Sequence, residues 1–384
     1  MKAQQKNCTP PLASRRELIK TLAVLGFALP VITPKVYASN TTAPEVWVSA
    51  QGNALESFSL TWLQPNTATP QSVRTGFRGH GIAINPKQPN QIVLVARRPG
   101  TQCAVVNLER AHISHRFTLP EGHQLEGHGC FSEDGKFFYT TESQFSDGTG
   151  WIGVYNTQNY TRINQLPSYG LGPHEIKPIP NSNTLVIANG GLHTHPASGR
   201  EVLNLTTMQP SLAYINSETG ELLEKIEAPE SKASIRHLDV ASDGTVAFAM
   251  QVQRSALPHT QPVPLAASHK RGSELKLLQQ PDILLHNLND YLGSVAINNA
   301  ARIVGATSPR GNLAAFWHLD TSQLMGYYSL QDVCGLAVSA DQSHFVLTNS
   351  FGHIRQLNVN TLAENKALRM HFSNMHWDNH LIAT

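Results

Sequence analysis

The chain has 384 residues, enough for two or three ordinary domains or one large repeat-built one. Only 15% of them are charged, against about 25% in an average globular protein, which excludes a disordered acidic or basic chain. Its hydropathy excludes a polytopic membrane protein, and 27 glycines and 23 prolines spread from end to end mark turns that recur throughout.

The N-terminal segment reads Ser14-Arg15-Arg16-Glu17-Leu18-Ile19-Lys20, then an apolar stretch from Thr21 to Ile32, then the small-residue site Val36-Tyr37-Ala38. Twin arginines before a modest apolar run predict a signal for the twin-arginine translocase, cleaved after residue 38, and hence a periplasmic location. An uncleaved anchor is the competing reading, but about 12 apolar residues interrupted by Gly26 and Pro30 are too few to span a bilayer. The leader holds six basic residues and one acid. Of 29 basic and 27 acidic residues, 23 and 26 remain over 39–384, a net of −3 that makes nucleic acid an unsuitable partner.

Three cysteines remain beyond the leader: Cys103, Cys130 and Cys334. An odd number in an oxidising compartment is no disulfide scaffold, and buried thiols are expected. All 18 histidines also lie beyond the leader, which raises the question of their use.

Six segments repeat one pattern: a His or Gly, a short β-like run, then a turn. They start at His80, His128, His174, His237, Gly293 and Gly335, and run to Pro86, Asp134, Pro180, Asp243, Asn299 and Asp341. A repeat of roughly 40 to 50 residues made of short strands is the signature of a propeller blade. Further β-rich runs follow each start, among them Ile92 to Ala96, Phe137 to Thr141, Leu185 to Ala188, Val246 to Met250, Ile303 to Ala306 and Phe345 to Thr348. In the fourth unit the next run is placed at Ile283 to Leu285. Residues 254–282 there read as an irregular, mobile insertion with no core of its own.

Val46 to Val48 and Leu55 to Leu60 look like middle strands without an inner partner, and Met375 to Ala383 like an inner strand without a blade. Joined, they make a seventh blade and leave no open edge. The predicted fold is therefore all-β, a seven-bladed β-propeller of the YVTN/WD-like kind over residues 39–384, closed by a blade shared between N- and C-terminal strands.

In such a wheel the repeat-initial residues line one mouth of the central channel. That places His80, His128, His174 and His237 together, with His376 or His380 as the seventh-blade candidate. The connections after the second strands reach the same rim with Arg97-Arg98-Pro99-Gly100, with His193-Thr194-His195 and Arg200-Glu201, and with Ser308-Pro309-Arg310-Gly311. Imidazole is a common neutral metal ligand, so His80, His128, His174, His193, His195 and His237 are the candidate metal ligands, for iron, copper or zinc. Arg97, Arg98, Arg200, Glu201 and Arg310 are the candidate ligand-binding residues, able to neutralise a carboxylate or a haem propionate. Each histidine can equally be a polar peg that hydrogen-bonds a neighbouring blade. His112, His115, His123, His259, His269, His318, His344 and His353 are expected on outer strands or loops, in solvent.

Catalytic signatures are missing: there is no Gly-x-Ser-x-Gly elbow, P-loop or His-Glu-x-x-His. His174 and Glu175 could act as an acid/base couple, with the His193/His195 loop beside them, but neighbours on a strand face opposite ways. Binding is favoured over catalysis. A periplasmic enzyme on a small anionic substrate and a scaffold without ligand are the alternatives. Cys334 is close enough to the mouth for a soft ligand, with a buried thiol as the competing reading.

Arg78-Gly-His-Gly81, Ala96-Arg-Arg-Pro-Gly100, Gly172-Pro-His-Glu175, Asn189-Gly-Gly-Leu-His-Thr-His-Pro196, Ser234-Ile-Arg-His-Leu238 and Ser308-Pro-Arg-Gly311 together make the chain resemble the bacterial domain-of-unknown-function family numbered fifteen-thirteen. The resemblance covers nearly all of 39–384. It implies a periplasmic propeller exported by the twin-arginine pathway, with imelysin-like and other iron-uptake proteins as partners. It implies no particular reaction. The fourth blade departs from the family pattern in its long middle, so no ligand is placed there.

Overall fold

The computed structural model describes residues 45–384 apart from 68 and 200; the leader expected over 1–38 lies outside the described residues. Seven four-stranded antiparallel sheets form the blades of a propeller. The inner strands of the first six are Gly79–Asn85, His123–Phe131, Pro173–Ile179, Ala233–Val240, Val295–Asn298 and Val333–Val338. In each of these blades the strands run outward in chain order. The seventh takes its inner strand, Trp377–Ala383, from the C-terminal part and its other three from residues 47–74. Trp47 pairs with Ala383, Val48 with Ile382 and Ser49 with Leu381. The joined blade predicted from the unpartnered runs is therefore present, and it leaves neither end of the ring with an open edge.

Position in the blade explains the sequence pattern. A second strand is covered on both faces by the adjacent blades, so it is a continuous apolar run: Ile92, Val93, Leu94, Val95 and Ala96 are all buried. An outer strand has one face in water, and burial alternates residue by residue along Leu222–Glu227 and Leu324–Ser329. The core is therefore a series of layers between blades. Phe117, Phe138, Tyr155 and Tyr160 fill one layer, and Phe316, Phe345 and Leu347 another. Each such side chain contributes about 1.5–3 kcal/mol by leaving water.

The fourth blade corrects two expectations. Residues 254–282 are not an insertion without a core. They supply the strands Ala266–His269 and Lys276–Leu277, and bury Val263, Leu265 and Leu278. The run from Ile283 to Leu285 is not a strand but part of the helix α1, Asp282–Leu288. Leu284, Leu285 and Leu288 make one buried helical face while Ile283 is 71% exposed, and Asn289 ends the helix in the left-handed region at φ 51°. Three apolar residues in a row look like a strand until Leu288, one turn on, is counted with them.

Candidate metal centre at the propeller hub

The inner strands are irregular where their histidines sit. Beside the second strand, pairing jumps from Gly79–Ala96 to Ile82–Leu94, from Leu125–Glu142 to Gly129–Thr140, from Pro173–Asn189 to Glu175–Ala188 and from Ile235–Met250 to His237–Ala249. The closing strand shows the same jump between Leu381 and Trp377. Each jump inserts one or two extra residues, which bends the strand and re-aims its side chains. Five bulges on five blades therefore deliver His80, His128, His174, His237 and His380 to one point on the axis.

The five rings touch. Ring centroids of His80 lie 4.8 Å from His128, 5.4 Å from His174, 6.1 Å from His237 and 4.5 Å from His380. His174 and His237 are 4.7 Å apart, as are His128 and His380. Glycine makes room for this. Gly127 has φ 113°, and a Cβ there would stand 2.6 Å from Cδ2 of His80; a Cβ on Gly81 would meet the Gly127 carbonyl oxygen at 2.4 Å.

Among the described residues, three sets of donor atoms have every member within 4.8 Å of the others: His80, His128 and His380; His80, His174 and His237; and His128, Glu175 and His237. Nε2 of His380 is 3.3 Å from Nε2 of His80. Two nitrogens on one tetrahedral ion, each at about 2.05 Å, would stand about 3.4 Å apart. Glu175 sets two rings: its Oε2 is 3.2 Å from Nδ1 of His237 and also accepts the Leu238 backbone N–H, and its Oε1 is 3.7 Å from Nδ1 of His128. Nδ1 of His380 meets the Ser294 hydroxyl at 3.0 Å. Nδ1 of His80, Nε2 of His128 and Nδ1 of His174 are buried and have no partner.

Burial is the first cause that pushes all five imidazoles well below their usual range. For His174 and His237 the next cause is the Arg236 charge, and for His80 it is His380. The hub is thus a set of neutral nitrogen donors at neutral pH, the form that binds metal ions.

Other groups also tie blade to blade, beside the His237–Glu175 and His380–Ser294 contacts. The Thr141 hydroxyl donates to the His174 carbonyl of the next blade, and the Thr307 hydroxyl to that of Cys334. Lys177 donates to Asp239 at 2.6 Å, and Asp239 accepts the Ile297 N–H, tying three inner strands together. Burial lowers the Lys177 ammonium, yet Asp239 holds it above its ordinary value. A cavity of about 330 Å³, lined by Ile82, Ile84 and Lys177, has His128, Glu175 and His380 among its walls.

The residues singled out from sequence divide as follows. His80, His128, His174 and His237 are at the hub. His380, not His376, is the fifth; His376 meets the Ser350 carbonyl. His193 and His195 are not among the clustered donors. His193 sits against Gly148 and His195 against Phe145, beside the second blade. His174 and Glu175 do not face opposite ways, because the bulge between Pro173 and Glu175 breaks the alternation and both reach the hub. Arg97 and Arg98 are at the mouth, paired with Asp378 and Glu126. Arg310 stacks on the Tyr291 ring, Glu201 is exposed, and Arg200 lies outside the described residues. His269, expected in solvent, is buried between the Tyr214 hydroxyl and the Ser273 carbonyl. All three cysteines are free and buried, and Cys334 donates to backbone carbonyls including that of Asp378. Sequence reasoning missed Arg236, Glu126 and Asp378. Arg236 stands inside the quoted Ser234–Leu238 motif.

No curated protein matches the chain. Among solved structures its fold is similar to Kuenenia stuttgartiensis Hydrazine Synthase, with a TM-score of 0.62 and 14% identity, covering 79% of this chain and 90% of that one. At that identity the likeness is one of fold alone. Residues 73–384, the greater part of the wheel with every hub histidine, match the family model described as "Protein of unknown function (DUF1513)", and the chain belongs to that family.

Proposed function

We propose that this chain binds a first-row transition-metal ion at its hub, through imidazole nitrogens of His80, His128, His174, His237 and His380 with Glu175 as carboxylate partner. The observation that carries this reading is the convergence of five neutral imidazoles from five blades, four buried and His380 half-buried, three of them with an unpartnered nitrogen. Pegging accounts for the outward nitrogens of His237 and His380, which end on Glu175 and Ser294, but not for the buried, unpartnered nitrogens of His80, His128 and His174. Imidazole with a carboxylate suits iron, copper and zinc alike. Glu175 would orient its rings as an outer carboxylate does around bound metal. The periplasmic location and the iron-uptake partners belong to the same proposal, supported by the Arg15-Arg16 leader motif and the family resemblance.

The test is metal content by mass spectrometry on protein purified after native export, alongside a His80→Ala/His128→Ala/His174→Ala variant. About one ion per chain, lost in the variant, is the expected result. No metal above background, together with no uptake of zinc, copper or iron on titration, would overturn the proposal.

A further inference from the structure

Arg236 is the residue inserted at the bulge before His237. It is 7% exposed, and its Nε and Nη1 have no hydrogen-bond partner. No ion pair reaches it among the described residues. Glu126 acts on it only at longer range; a buried guanidinium with no carboxylate in contact is costly, and proteins keep one where something else supplies the charge. The other arginines at this mouth are provided for. Arg78 and Arg97 share Asp378, at 2.7 and 3.3 Å, and Arg98 takes Glu126 at 3.0 Å. Gln124 also donates to Glu126. Among the described residues, Asp378 and Glu126 are thus both already engaged by other donors. Beside Arg236 the chain is bare: a Cβ on Gly190 would stand 3.0 Å from Nη1, and the nearby Ser234 hydroxyl is turned to the Gly190 carbonyl.

We infer that Arg236 anchors an anion site at the arginine-lined mouth above the hub, and that its ligand is an anion carrying two or more carboxylates. A guanidinium meets a planar carboxylate in a bidentate geometry that an ammonium cannot offer, which suits the arginines gathered at this mouth. Arg98 and Arg97 stand close enough for their charges to act on Arg236, and several guanidinium groups together favour a di- or tricarboxylate over a monocarboxylate. Arg97 and Arg98, with side chains 23% and 19% exposed, are the groups through which a second carboxylate is held. The site is distinct from the donor set of the hub and does not depend on an ion being bound there.

The experiment is titration calorimetry on the chelator-stripped full chain at low salt, with acetate, malonate, citrate and inorganic phosphate as probes. Malonate or citrate is expected to bind saturably and at least tenfold more tightly than acetate. Arg236→Met should weaken that binding at least tenfold, and Arg236→Lys should leave it intermediate. In anion-free buffer Arg236→Met should melt at the same temperature as wild type or higher, because an unpaired buried charge has gone. Equal affinity in wild type and Arg236→Met would overturn the inference. So would phosphate binding more tightly than every carboxylate, or a lower melting temperature for Arg236→Met without anion, which would make Arg236 a structural residue. Because the protein is stripped, these outcomes are separate from whether the hub takes a metal.

Discussion

Nε2 of His380 stands 3.3 Å from Nε2 of His80, across 300 residues of chain. Two neutral imidazoles at that distance either share one proton or aim two lone pairs at a third atom, and two imidazolium ions there would repel. Proton occupancy of the hub therefore governs its stability as well as its ligand chemistry.

Acid should destabilise the metal-free protein steeply. The hub histidines stay neutral when folded, chiefly through burial, but protonate in the unfolded chain near 6.5. Below that pH the unfolded state binds more protons than the folded one. Stability is then fully present above about 6.5 and falls with pH until the depressed folded values are reached, by up to about 1.4 kcal/mol per pH unit for each imidazole. Urea melts of stripped protein between pH 8 and 5 measure the slope. A His80→Gln/His174→Gln variant should show a shallower one, and an equal slope in both proteins would contradict this account.

Gly127→Ala should disturb the hub from outside the donor set. The new Cβ would stand 2.6 Å from Cδ2 of His80, on backbone at φ 113°. A cost of about 1–3 kcal/mol in stability is expected, together with reduced metal occupancy because His80 must turn away. Full occupancy in a folded Gly127→Ala protein would show that His80 is not a ligand.

Glu142 should be the costliest single carboxylate to remove from the second blade. It is fully buried, and accepts from Thr140 at 2.5 Å, from Arg162 Nη1 at 2.7 Å and from the Tyr155 hydroxyl at 3.2 Å. Burial raises its carboxyl, but hydrogen bonds from His123 and Arg162 bring it below the ordinary value. Glu142→Ala strands the Arg162 charge and is expected to cost about 3–5 kcal/mol by chemical denaturation. A loss below about 1 kcal/mol would mean that water replaces the carboxylate without penalty.

The thiols should be silent. Cys103, Cys130 and Cys334 are buried and unpaired, and burial is the first cause that pushes each thiol well above its usual value. A chain cleaved after residue 38 should take up no thiol reagent at pH 8 while folded and three equivalents in denaturant. Labelling of the folded chain would assign one of these cysteines a surface role.

The wheel was legible because its evidence is repetitive: six starts with a common pattern, and two unpartnered runs that complete a blade. Four hub histidines were legible for the same reason, since a repeat-initial position on an inner strand has one destination. The rest depends on residues that break the pattern. Simple alternation puts Arg236 opposite His237 and Glu175 opposite His174, and a bulge at each place undoes it. His193 and His195 sit in a long connection whose path is set by contacts with Gly148 and Phe145, to which no spacing in the sequence points. His269 lies on an apparently outer strand, yet Tyr214 from the neighbouring blade meets it in the interior.

The strand that closes the ring, Trp377–Ala383, is also the strand that carries His380. Until this strand docks, the inner strands of the other blades bring only four imidazoles to the axis. The fifth arrives in the step that locks the circle. A premature stop before residue 377 would thus produce an unsealed wheel with an incomplete coordination set, so quality control over the finished shape is at the same time quality control over the centre.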